Sequence, residues 1–277
     1  MASHRDYSVR VGVLRGWAVL GVSELNAFEV LSISQDLAAL TYFLGTLFMA
    51  LPIPLYGVKK WGPKMISDGI YSTILVNLYE TILYLVSVIG NQLGTNWPSY
   101  MNWLYELLAN ELSIFTVVRG ILTIIGFTPL SVPFSLVLTF LSGFITITGT
   151  LIVISQLIYN NVGLLIALGV LMLSLPFRIG RAVGGGLMGF AIVFYVGLPL
   201  LPAFLSTFGV NVIQDFSTNI NSLQALNSLL SNAIPDYIEG TVIMPTAYLG
   251  ILTSLSLGVG SAIAGGYSRL PIQVDFV

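Results

Sequence analysis

Seven stretches of this chain are long, apolar and nearly free of charge: residues 37–58, 69–90, 112–128, 133–159, 162–175, 182–205 and 241–265. A hydrocarbon core about 30 Å thick takes about 20 helical residues to cross. In lipid every backbone polar group must find its partner within the chain, so only helices and closed barrels span. Barrel strands alternate apolar and polar positions over about 10 residues, whereas these runs are longer and uniformly apolar. The expected fold is therefore all-α: a polytopic integral membrane protein with about seven transmembrane helices plus extracytoplasmic amphipathic helices. Only "TPLSVP" separates the third run from the fourth, so the count falls to six if those two form one re-entrant unit. Charged residues make up 8% of the chain, against about 25% in a soluble domain. That is too few to clothe a soluble surface.

A single membrane domain, 1–277, accounts for the whole sequence. Residues 1–36 form a lead-in, 37–205 a helical bundle, 206–240 an extracytoplasmic amphipathic segment, and 241–277 the last span with a tail. Within the lead-in, the apolar stretch 11–22 is interrupted by Arg15, and no A-x-A-like cleavage site follows. It therefore reads as an interfacial or re-entrant segment rather than a secretory signal.

The cations segregate. Lys59, Lys60 and Lys64 follow the first run, Arg178 and Arg181 the fifth, and Arg269 the last. With seven spans all three groups fall on one side. The opposite segments, 91–111, 160–161 and 206–240, contain no Lys or Arg but carry Glu106, Glu111, Asp215, Asp236 and Glu239. Short loops rich in Lys and Arg stay in the cytoplasm, so the C-terminus is expected there and the protein in the cell membrane.

Residues 175–190, "LPFRIGRAVGGGLMGF", pose a choice between a phosphate-cradling loop and a basic turn between membrane helices. A Walker-type loop places Lys-Ser/Thr after its last glycine and follows a strand; neither feature is present. The glycines instead suit close helix packing. Ala182/Gly186 and Gly185/Gly189 are small-xxx-small pairs. In the last run Gly250, Ser254, Gly258, Ala262 and Gly266 recur every four residues, beside a second row of Ser256, Gly260 and Ala264. Ser254, Gly258 and Ala262, with Gly185 and Gly189, are the expected packing positions.

The second run carries Thr73, Asn77, Glu80, Tyr84, Ser87 and Asn91 at steps of three and four, which defines one helical face. A polar stripe through the bilayer is expected to face protein or water. Glu80 near the middle of this run and Arg119 near the middle of the next are expected to neutralise each other. That pair is either an assembly device or part of a hydrated path.

Outside the bilayer, residues 98–109 place Tyr100, Trp103, Leu104, Leu107 and Leu108 on one face. Residues 210–233 repeat the pattern with Ile213, Phe216, Ile220, Leu223, Leu226 and Leu230. There is no cysteine, and the single histidine is His4. No catalytic residue, cofactor or metal ligand set is therefore expected. A membrane enzyme would need acid, base or metal groups converging on a cleft.

Residues 164–209, "LLIALGVLMLSLPFRIGRAVGGGLMGFAIVFYVGLPLLPAFLSTFG", and the ending "GVGSAIAGGYSRLPIQVDFV" resemble the CedA family, the polytopic subunits of crenarchaeal Ced DNA-import systems. More distantly they resemble TrbL-type subunits of conjugative type IV secretion. The shared pattern is a span ending in Pro-Phe-Arg, a basic turn, a Gly-rich span with late prolines, and a short tail after a small-residue span. The resemblance implies a non-enzymatic channel or scaffold subunit of a DNA-translocating complex. Its implied partners are small two-helix membrane subunits, a HerA-type ATPase on the cytoplasmic face, further copies of the chain, and DNA bound without sequence preference. Lys59, Lys60, Lys64, Arg178 and Arg181 would then stand where motor and DNA arrive, although the positive-inside rule alone explains them. The competing reading is a stand-alone solute channel or secondary transporter with a midplane site at Asn77, Glu80 and Arg119.

Overall fold

The computed structural model describes residues 26–51, 59–125, 131–210 and 234–265, and every regular element among them is helical. In chain order these are α1 (Ala27–Ala50), α2 (Trp61–Asn77), α3 (Tyr79–Gln92), α4 (Trp97–Ile125) and α5 (Ser131–Ser174). A 3₁₀ turn (Pro176–Arg178), α6 (Arg181–Gly197), a second 3₁₀ turn (Leu198–Leu200) and α7 (Leu201–Thr207) follow. The short α8 (Ile234–Tyr237) leads through a π-helical turn (Ile238–Ile243) into α9 (Met244–Ile263). The segments 1–25 and 210–233, with their expected lead-in and amphipathic helix, lie largely or wholly outside the described residues, as does Arg269.

Four described helical runs are long and apolar enough to cross a bilayer: Ala27–Ala50, Ser135–Ser174, Arg181–Thr207 and Ile238–Ile263. A fifth arises if α2 and α3, bent by 60°, count as one span. Seven separate spans are not confirmed among the described residues. The expected fourth and fifth runs together form the 44 residues of α5, in which two helices meet at a kink. The break expected at 160–161 is that kink, with non-helical dihedrals at Asn161 (φ −120°, ψ 15°). Neither glycine nor proline breaks the chain there, and Asn161 returns its side-chain amide to the Leu157 carbonyl at 2.9 Å. Pro199 is absorbed in the 3₁₀ turn of the Arg181–Thr207 run.

α5 runs through two apolar cores. One gathers Val137, Leu141, Phe144 and Leu151 of α5 with Tyr100, Leu104 and Leu107 of α4, Leu198 and Leu201, and Tyr237. The other gathers Ile166, Val170 and Leu173 of α5 with Val30 and Leu31 of α1, Leu75 and Tyr79, and Met188 and Ala191 of α6. The α4 seam 100-104-107-111-114-118 is buried throughout, at the three-four spacing of an antiparallel helix pair. The apolar face expected over 98–109 is thus the opening of a 29-residue helix.

Between the two cores several elements meet at one level. Thr95 Oγ1 donates to the Val196 carbonyl at 2.9 Å, and Tyr248 Oη donates to the Gly197 carbonyl at 2.6 Å. The Trp97 ring lies 5.1 Å from that of Tyr159 and 5.4 Å from that of Tyr195. This waist is about 24 Å along α6 from Arg181.

Small residues set the helix approaches. A Cβ on Gly69 would come within 2.9 Å of the Ala38 carbonyl oxygen, and one on Gly45 within 2.8 Å of the Ile66 nitrogen. On α6, a Cβ at Gly185 or Gly189 would collide with the backbone of Gly260 or Ser256 on α9. The α9 row in use is therefore Ser256, Gly260 and Ala264. The row expected to pack hard, Gly250, Ser254, Gly258 and Ala262, is exposed, and this corrects the expectation. In lipid the row that meets another glycine face wins, because backbone approach is what drives association.

Candidate functional site

The basic turns converge on one end of the bundle. The Gly45–Gly62 approach brings the end of α1 to the start of α2. Thr41 Oγ1 donates to the Ser174 carbonyl at 3.0 Å and Ser72 Oγ to the Leu173 carbonyl at 3.2 Å, placing the end of α5 beside them. Arg181 Nε donates to the Ala264 carbonyl and brings in the end of α9. The cations of two turns far apart in sequence therefore share a face.

They do not share a state. Asp68 of α2 accepts from Arg178 Nε at 2.6 Å, from Arg178 Nη2 at 2.9 Å, and from Arg181 Nη1 at 2.7 Å. The Asp68 side chain is 13% exposed. Its hydrogen bond raises the Arg178 pKa further above the usual value, so the guanidinium stays charged. The path of the turn makes this possible. Phe177 and Arg178 both adopt left-handed backbone (φ 63° and 62°), which costs a non-glycine residue about 1–2 kcal/mol. Two charge-assisted bonds in fork geometry offset that cost. Gly180 has to be glycine, because a Cβ there would collide with the Met172 carbonyl oxygen.

The lysines remain available. Lys59, Lys60 and Lys64 are exposed, and the Lys64 Nζ stands 5.6 Å from the ring centroid of Trp61. Among the described residues the ion pairs are the two made by Asp68. The five cations thus divide into two bound arginines, which build the end of the bundle, and three lysines open to a partner. Asp68 is the residue that sequence reasoning missed. Its signal was a lone acid among the cations of the basic side, four residues after Lys64.

The expected Glu80–Arg119 pair does not form. Both residues are exposed and no ion pair joins them. Glu80 opens α3 just past the bend at Leu78, in the part of the fold that holds the α1–α3 core, whereas Arg119 lies far along α4, which pairs with the other half of α5. The bend also divides the polar stripe. Thr73 is half-buried, whereas Asn77, Tyr84, Ser87 and Asn91 face outward. Asn77 Nδ2 donates to the Thr73 carbonyl at 2.7 Å and Ser87 Oγ to the Tyr84 carbonyl at 2.7 Å, so part of the stripe is satisfied within its own helices.

Glu111 was grouped with the loop acids, yet it is fully buried on the α4 seam, and Thr148 Oγ1 donates to its Oε1 at 2.9 Å. Its place in the seam register was the available signal. Glu111→Gln keeps an acceptor for Thr148 and should leave the unfolding midpoint in detergent nearly unchanged. Glu111→Ala strands the hydroxyl and leaves a cavity, and should cost about 1–3 kcal/mol. Thermal unfolding of both variants checks this.

Fold and site define a class: a multi-helix membrane protein with one cationic end and, among the described residues, no metal-ligating cluster. The chain belongs to the CedA family of DNA import proteins. It is 42% identical over 257 residues to DNA import protein CedA of Sulfolobus acidocaldarius, covering 91% of this chain and 99% of that protein. Residues 18–92 match the family model of DNA import protein CedA1. The CedA1 protein of the same organism is 30% identical over 65 residues, 24% of this chain and 83% of that protein. The residues that match the family model include α1, α2 and α3. No solved structure matches the chain.

Proposed function

We propose that this chain is a non-enzymatic membrane subunit, channel or scaffold, of a DNA-import complex related to type IV secretion. The observation that carries the reading is its 42% identity to a DNA import protein across almost the whole of both chains. Its basic end faces the cytoplasm, in keeping with the positive-inside rule, and Lys59, Lys60 and Lys64 contact DNA phosphates or the ATPase that drives them. Arg178 and Arg181 are scaffold in this reading, since Asp68 already occupies them. Small two-helix membrane subunits and further copies of the chain complete the complex. In support of assembly, Leu136, Phe140, Ile147 and Val153 are exposed on the part of α5 that precedes the kink at Asn161.

Replacing Lys59, Lys60 and Lys64 together by alanine is expected to abolish DNA uptake in a strain lacking the native chain, with the protein still at normal level in the membrane. If the lysines touch phosphates directly, DNA binding by the purified complex should also lose salt dependence, by about 0.9 in log–log slope for each contact removed. Normal uptake by the triple variant rules out the lysine role. A complex purified without an ATPase or small subunits rules out the assembly.

A further inference from the structure

Among the described residues Glu111 is the one acid buried completely, at 0% exposure. Thr148 satisfies its Oε1, whereas its Oε2 has no hydrogen-bond partner. A second orphan lies at the same level. Phe144 of α5 stacks on Tyr237 of α8 with ring centroids 6.2 Å apart, and α5 and the α8–α9 run both head for the basic end of the bundle. Thr148 and Thr241 each follow about one turn later, which brings Thr241 level with Glu111. The Thr241 hydroxyl, in a residue 2% exposed, also lacks a partner. Burial, and then Glu111, hold the Tyr237 phenol above its usual pKa, so Tyr237 stands within electrostatic reach of the same carboxyl. Thr241 belongs to the π-helical turn, a distortion that recurs at functional positions.

No countercharge meets this carboxyl. α5 and α9 carry no charged residue, and the charged residues of α8 and the π turn, Asp236 and Glu239, are themselves acids. On α4, Glu106 and Arg119 are exposed, and the ion pairs among the described residues are those of Asp68. A bare carboxylate buried without a partner costs far more than a neutral acid. The neutral acid also brings an O–H donor, and a threonine hydroxyl accepts. We infer that Glu111 is a proton-binding site, whose neutral carboxyl turns its Oε2–H towards Thr241 and seats the π turn against α4 and α5. Release of the proton leaves an unpaired charge facing Tyr237 and the π turn, and loosens that joint. The seating is therefore present while the carboxyl is protonated and is lost as pH rises. This does not depend on the DNA-import reading.

Infrared spectroscopy of the full-length protein in lipid reads the site directly. The wild-type spectrum minus that of Glu111→Gln is expected to show the carbonyl stretch of a neutral carboxylic acid at about pH 6, where a solvated glutamate is already ionised. In alkali that band is expected to give way to the two stretches of a carboxylate. Thr241→Val removes the acceptor at nearly constant shape, and is expected to move the band to the higher frequency of a weakly bonded acid without abolishing it. Hydrogen exchange reads the joint. Corrected for the intrinsic effect of pH, amides of residues 238–243 are expected to lose protection in the wild type as the band disappears, and to keep it in Glu111→Gln. A carboxylate signal alone at about pH 6 overturns the proton site. So does a signal that follows added sodium or potassium rather than pH, which would make the ligand a metal cation. An unshifted band in Thr241→Val, or equal exchange in the wild type and Glu111→Gln at every pH, overturns the seating of the π turn.

Discussion

Asp68→Ala is expected to lower the unfolding free energy by about 1–3 kcal/mol, the cost of removing a largely buried carboxylate from two partly exposed arginines that solvent screens in part. The loss is large because one carboxylate serves two arginines from one turn and so ties α2 to the α5–α6 connection and, through Arg181, to the end of α9. Without it Arg178 keeps its left-handed backbone and loses the bonds that compensate for it. Asp68→Glu should recover little, since the added methylene displaces both forks. Arg178→Ala should cost less than Asp68→Ala, because Arg178 is the more exposed of the two arginines and Arg181 still reaches Asp68. Chemical or thermal unfolding in detergent measures all three. A neutral Asp68→Ala would mean that the arginines are free, and would return them to the set available for DNA.

Gly189→Leu is expected to be worse still and to leave little folded protein. A Cβ at Gly189 already meets the Ser256 carbonyl and the Gly260 backbone, and backbone cannot step aside as a side-chain tip can. Overpacking costs about 1–3 kcal/mol where repacking is possible; here α6 and α9 would have to separate. The matched control is Gly258→Leu on the open face of α9, where a Cβ meets nothing within 4 Å. That variant should fold normally. If it folds but fails to assemble into the complex, the open row of α9 is a subunit contact. Yield and size-exclusion profile in detergent read both outcomes.

The helical class was plain from the apolar runs, because a membrane leaves a chain so few solutions. The gathering of the basic turns at one end was also legible, since the charge asymmetry is carried by loops and depends little on where each helix stops. Span boundaries were less so. At residues 160–161 the pair Asn-Asn reads as a loop, but asparagine can bond back to its own helix, and the break is a one-residue kink at Asn161 rather than a loop. Pairing across the fold was the least legible. Glu80 and Arg119 looked matched in depth only while residues 69–90 were taken as one straight span antiparallel to the next; the 60° bend at Leu78 breaks that span, and the residues around Glu80 and those of α4 belong to different cores. Asp68 and Glu111 were overlooked because an acid among cations and an acid in a helix seam each require a neighbour that sequence spacing does not reveal. On α9 two small-residue rows were available and the expected one, Ser254, Gly258 and Ala262, is exposed; only the glycine face of α6 selects between them.

α5 is shared by both cores, with Val137 to Ile158 in one and Ile166 to Leu173 in the other. The kink at Asn161 falls between those two groups. The joint of the molecule therefore lies outside both packed cores, so a tilt of one against the other can be taken up at a single residue while the side-chain packing within each is kept.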